Sequence, residues 1–157
     1  GYHASPKRSP GAWVAFREGT HLKGDYNFLM ERLPDDSTER RLVGPEQQRF
    51  GVWARGIPAR ATMRLHPDRE FVQSLTGAPG QLRIVYLDSG TDSLTLSLAN
   101  LSWQIARKDT GNWREHIAPI KRFPRIADGQ SVEVSLHAGA TEAILHMVEL
   151  ARGIKTP

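Results

Sequence analysis

A chain of 157 residues, 39% of them hydrophobic and with four Trp, five Phe and three Tyr, carries apolar surface enough for one packed core and too much for a disordered chain. It contains no cysteine, which excludes disulfides, a thiolate zinc site and thiol catalysis; no apolar run is long enough for a membrane span, and residues 1–10 are too polar for a signal peptide. The 21 basic residues outnumber the 17 acidic ones, and 16 of the 21 are arginine, whose planar fork suits carboxylate, sulfate or phosphate.

Residues 1–11 mix Ser, Pro, Lys, Arg and Gly without periodicity and read as a flexible N-terminal segment, which leaves 12–157 for a single β-sandwich domain. The apolar, β-prone stretch 12–17 (AWVAFR) predicts a strand, and a loop follows through residue 25. Residues 26–33 fit either a short helix ended by Pro34 or an irregular insertion, and 35–38 (DDST) has turn chemistry. A connection of this length in a compact domain is a place where function collects.

From Arg49 onward short β-prone segments recur every eight to twelve residues. Strands are expected at about 50–55, 60–66, 69–73, 81–88, 93–99, 102–107, 113–120, 131–136 and 143–151, with turns at 56–58, 77–80, 89–92, 109–112 and 128–130. Several alternate: Ala61, Met63 and Leu65 oppose Arg60, Thr62, Arg64 and His66; Leu82, Ile84 and Tyr86 oppose Gln81, Arg83 and Val85; Leu94, Leu96 and Leu98 oppose Ser93, Thr95 and Ser97. One buried side per strand is the mark of antiparallel sheets. No helical period, internal repeat or βαβ alternation is visible between Arg49 and Arg152, which disfavours nucleotide-binding α/β folds.

The common catalytic fingerprints are missing: no GxxxxGK[ST], no GxGxxG after a strand, no HExxH and no GxSxG. The six His residues are scattered, and His146 lies in an apolar strand. Asp35, Asp68, Glu70, Asp88 and Glu149 are carboxylates that a fold can bring together, but nothing selects a pair.

Trp13, Trp53 and Trp113 sit in apolar strand segments and are expected in the core. Trp103, close to Arg107 and Lys108, is the candidate for stacking on a sugar ring, with Arg, Asn or Gln nearby to bond its hydroxyls. Arg64, His66 and Arg83, with Gln81, Thr95 and Ser97, supply outward polar positions where arginine forks can meet an anionic glycan. The cluster Lys121, Arg122 and Arg125 around Phe123 and Pro124 also fits the pattern of a weak nucleic-acid surface, the less favoured partner.

The stretch from Gln81 to Arg152 resembles the core of galactose-binding-like (jelly-roll) β-sandwich carbohydrate-binding modules. The resemblance rests on VYLDSG at 85–90, SLTLS at 93–97, TGNWR at 110–114 and ILHMVEL at 144–150, and covers a little under half of the chain. It implies an all-β, two-sheet antiparallel β-sandwich, a secreted or extracellular setting, a polysaccharide partner and a covalently linked catalytic domain. No cofactor is required. Such domains often hold a structural calcium, for which Asp25, Asp35, Asp36 and Glu149 are the oxygen donors here.

Together these readings predict a non-catalytic carbohydrate-binding module, accessory to a larger glycan-degrading enzyme, whose ligand is an acidic or sulfated polysaccharide. Its expected ligand-binding residues are Trp103, Arg64, His66, Arg83, Arg107 and Lys108, without a membrane partner. The rivals are a small β-sandwich hydrolase or lyase working through Asp88, His66 or Tyr86, and a structural module between domains.

Overall fold

The computed structural model describes residues 5–16, 26–33, 38–42 and 53–153. Among these residues twelve strands form two antiparallel sheets around one core. The first has seven strands. In it β10 (Trp113–Ile120), β7 (Gly80–Leu87), β12 (Ala143–Arg152), β1 (Gly11–Ala15) and β2 (Tyr26–Phe28) lie side by side, and the hairpin of β4 (Glu39–Leu42) and β5 (Trp53–Ile57) joins the early part of β12. The second sheet runs β3 (Met30–Arg32), β6 (Thr62–Pro67), β11 (Val134–His137), β8 (Ser93–Leu98), β9 (Leu101–Ala106). The all-β, two-sheet jelly-roll expectation therefore holds.

The period-2 patterns decide which residues fill the core. Leu82, Ile84 and Tyr86 of β7 meet Val148 and Leu150 of β12 on one layer; Met63 and Leu65 of β6, Leu136 of β11, and Leu94, Leu96 and Leu98 of β8 form the other. All are buried; in the five-stranded sheet the alternate residues, such as Arg64 and Ser93, face outward, whereas in β7 the alternate residues Gln81 and Val85 are buried as well.

Three expectations need correction. Residues 69–73 are not a strand but the start of a helix, α1 (Arg69–Leu75). Asp68 caps it, its side chain accepting from the Phe71 N–H at 3.0 Å, and Phe71, Val72 and Leu75 bury one side of only two turns. Such a short helix shows no repeat to read. Residues 26–33 are neither a helix nor irregular: β2 and β3 are successive strands in different sheets, joined at Leu29, whose φ of 55° turns the chain sharply from one layer to the other. Finally, Trp13 and Trp113 belong to outward faces rather than to the core, since Trp13 is in register with Glu149 and Trp113 with Leu87.

Arg152 knots the edges of this frame. It donates to the Ser9 carbonyl (3.1 Å), the Lys7 carbonyl (2.8 Å) and Ser74 Oγ (2.7 Å), and lies over the Phe71 ring. Strand β12, helix α1 and the 3-10 turn Pro6–Arg8 are thereby tied at one end of the sandwich.

Candidate functional site

The outward side of the five-stranded sheet is a polar plane. Register aligns Gln104, Thr95, His137 and Thr62 in one row and Ser102, Ser97, Ser135 and Arg64 in the next. Thr62 Oγ1 bonds His137 Nδ1 at 2.9 Å. At the end of the plane Glu133 receives Arg64 Nε at 2.6 Å and faces His66 Nε2 at 3.4 Å. The structure thus joins Arg64 to His66 as expected, and β11 separates them from Thr95 and Ser97 while keeping all four on one face.

Beyond His66 the plane opens into neighbouring clefts, most of them lined by the 125–133 loop. One of about 150 Å³ lies between α1 and that loop, lined by His66, Arg69, Gln73, Gln130 and Ser131 over the apolar floor of Pro67, Val72, Ile126 and Val132. A second, of about 400 Å³, shares His66 and reaches Asn27, Glu31 and Asp68. Two more, of about 310 and 550 Å³, share Arg125, Ile126 and Gln130 and extend towards Ser97 and towards Thr76. Side-chain amides, hydroxyls and arginines above a hydrocarbon floor are the groups that bind a sugar's hydroxyl edge and its apolar C–H face.

The other expected residues lie elsewhere. Arg83 faces outward from the opposite sheet, bridging Glu115 (3.0 Å) and Glu149 (3.5 Å). Trp103 is half-buried, in register with the buried Leu96, and packs against the core from the edge strand β9, on the side of the sheet away from the polar plane. Arg107 is buried; its guanidinium donates to the carbonyls of Asp92, Glu142 and Ala138 and to Thr141 Oγ1, and pairs with the Asp92 carboxylate. That geometry makes it a brace between loops rather than a ligand contact. Lys108 is exposed, at the end of the sandwich opposite His66.

Asp88 is buried and accepts from the N–H groups of Lys108 and Thr110, from Thr110 Oγ1 and from Arg114 Nε. Burial works to raise its pKa, but the donors from Thr110, Lys108 and Arg114 outweigh it and hold the group at about 2. Burial, and then the Asp88 charge, push the Tyr86 phenol up. A carboxylate so fully committed and a phenol so hard to ionise are poorly set for proton transfer near neutrality. Asp25, Asp35 and Asp36 lie outside the described residues, and Glu149 faces Arg83. Among the described residues no group of three His, Asp or Glu is placed to hold a metal. No helix among them is long and apolar enough to cross a membrane.

Sequence reasoning missed Arg69, Gln73, Ile126 and Gln130. Their signal was available only as Asp68, a cap three residues ahead of an apolar pair, which converts 69–75 from strand to helix and moves Arg69 and Gln73 onto the cleft wall.

No family model matches the chain, and no curated protein matches it. Solved structures do. An exo-β-1,3-galactanase from Phanerochaete chrysosporium, solved with β-1,3-galactotriose, superposes with a TM-score of 0.53 at 13% identity over 90% of this chain and 29% of its own. The CBM22-1–GH10 modules of Clostridium thermocellum endo-1,4-β-D-xylanase 10B, complexed with xylohexaose, give 0.52 at 14% over 80% and 26%. The insecticidal crystal protein Cry2Aa gives 0.51 at 10% over 94% and 22%. The present chain spans less than a third of each. At these identities the likeness establishes a common sandwich fold, one that serves more than one purpose.

Proposed function

We propose that the chain is a non-catalytic carbohydrate-binding module that holds an acidic or sulfated polysaccharide in the clefts around the 125–133 loop and along the adjoining polar plane. It acts as the accessory domain of a larger extracellular glycan-degrading enzyme. The observation that carries the reading is the composition of the cleft between α1 and the 125–133 loop: Arg69, Gln73, Gln130 and Ser131 with Pro67, Val72, Ile126 and Val132. Its polar groups are donors and acceptors at the rim, and its floor is hydrocarbon, the division a pyranose ring presents in reverse. The galactanase and xylanase likenesses support the same class, since those chains were solved with oligosaccharides.

The binding step is reversible and needs no proton transfer. Sugar hydroxyls exchange water for the Gln, Ser and Arg groups, and the ring's C–H face covers Ile126. Affinity electrophoresis against neutral and acidic polysaccharides, with reducing-end and unsaturated-product release followed in parallel, tests it. Retardation by an acidic polysaccharide without product release is expected; product release makes the protein an enzyme, and retardation by no polysaccharide overturns the reading.

A further inference from the structure

We propose that an arc of exposed, unpaired cations, Arg69 and Arg125 on the cleft walls with Lys121 and Arg122 on the segment that leads into Arg125, seats the anionic groups of the ligand, so that the site engages several charged substituents of one glycan chain at once. The inference rests on the carbohydrate reading above and adds to it the residues that recognise charge.

Five arginines, Arg64, Arg83, Arg107, Arg114 and Arg152, are committed to partners within the protein: Glu133, Glu115 and Glu149, Asp92, Asp88, and the carbonyls of Lys7 and Ser9. Arg69, Lys121, Arg122 and Arg125 are exposed and make no ion pair or side-chain hydrogen bond among the described residues. Two of the acidic groups nearby are engaged: Asp68 caps α1 and Glu133 holds Arg64. Glu70, beside Arg69 in the first turn of α1, and Asp128, on the wall of the cleft of about 550 Å³, are the exposed carboxylates that remain near the four cations. The arc keeps a surplus of positive charge.

Its members stand on fixed backbone. Arg69 opens α1, and Arg125 lines two of the clefts. The 121–125 segment is anchored by Phe123, which is buried and joined to the chain just past the C-terminal end of α1: its N–H donates to the Ala78 carbonyl (2.8 Å) and its carbonyl accepts from the Gly77 N–H (2.9 Å). Cations held on a rigid frame bind an anion with less ordering cost than the same cations on a free loop. The burial of Phe123 also decides the class of polyanion. A single-stranded nucleic acid is held by bases stacked on exposed aromatic rings, and the one aromatic ring within the arc is turned into the core. A polyanion with carboxylate or sulfate groups and no bases remains.

The test uses polygalacturonate and its fully methyl-esterified form, which share a backbone and differ in charge, with single-stranded oligo(dT) as a third probe. The full chain is compared with two double variants, Arg69→Gln/Arg125→Gln and Lys121→Gln/Arg122→Gln, by affinity electrophoresis over a salt series. The wild type is expected to prefer the charged polymer. Each double variant should lose about tenfold in affinity for it, lower the slope of log K against log salt by about one for each cation removed, by analogy with phosphate contacts, and keep its weak affinity for the neutral polymer. Wild-type affinity and slope in both variants overturn the arc while leaving the carbohydrate reading standing; equal binding of the two polymers by the wild type overturns the arc and the acidic ligand with it and leaves binding of carbohydrate alone. Binding of oligo(dT) alone, or of none of the three probes, overturns both. Thermal melting of the variants within a few degrees of wild type, as expected for exposed positions, assigns any loss to binding.

Discussion

Arg107 Nη2 lies 3.2 Å from Asp92 Oδ2, and three loops close around that pair. The same guanidinium holds the carbonyls of Glu142 and Ala138, while the carboxylate accepts from the Ala140 and Thr141 N–H groups and from Thr141 Oγ1. Removing the guanidinium leaves buried acceptors without donors. Arg107→Met should therefore destabilise the fold by about 3 kcal/mol or more, read as a fall in Tm of roughly 6–12 °C by calorimetry. An unchanged Tm would show that the loops close without it.

Acid should weaken the fold through Asp88 and Asp92. Hydrogen bonds from Thr141 lead the causes that hold Asp92 down to about 2, and Asp88 is held at about 2 as described above. Both folded values lie below the ordinary value of 3.8, so the stability they give is fully present above about pH 4 and is lost as the pH falls through 2. Urea unfolding between pH 5 and 2 should show this decline, and Asp88→Asn should flatten it while lowering stability at pH 7.

Two glycines separate backbone strain from crowding. Gly111 has a φ of 75° with open space where a Cβ would stand, whereas a Cβ on Gly139, at φ 79°, would come within 2.7 Å of the Ser93 carbonyl and 2.9 Å of Asp92 Oδ2. Gly111→Ala should cost about 1 kcal/mol and Gly139→Ala about 2–5 kcal/mol in denaturant titrations. Equal losses would contradict the packing around Asp92.

Trp103 and Gln130 should behave in opposite ways. Trp103→Ala removes a ring packed against the core and is expected to cost about 2–3 kcal/mol of stability with glycan affinity retained. Gln73→Ala/Gln130→Ala removes cleft-lining amides and should weaken glycan binding by about five- to tenfold with stability changed by less than about 0.5 kcal/mol. Titration calorimetry paired with thermal melts gives both readings, and the reverse pattern would place the ligand at β9.

The sequence made the sandwich legible because its strands are half-buried: Met63 and Leu65 against Arg64 and His66, or Leu94, Leu96 and Leu98 against Ser93, Thr95 and Ser97, announce two faces without any structure. Period alone does not say which strands adjoin, and so Arg83 looked like a neighbour of Arg64 when it lies on the other sheet. Nor does it separate the exposed face of a sheet from its interior for large aromatics: Trp13, half-buried beside Phe28 with ring centroids 6.4 Å apart, reads in sequence like any core residue. The cleft was hidden most deeply, because its walls come from a two-turn helix and a loop around Ile126, neither of which carries a repeat.

The bonds from Arg152 to Lys7, Ser9 and Ser74 have a consequence for architecture. Gly11 and Ala151 are partners on adjacent antiparallel strands, so the polypeptide enters and leaves the sandwich side by side, at the end where α1 lies. A unit built this way fits into a surface loop of a host protein without spreading the ends of that loop. Any domain joined at either side stands next to the helix that walls the cleft, within reach of whatever the cleft holds.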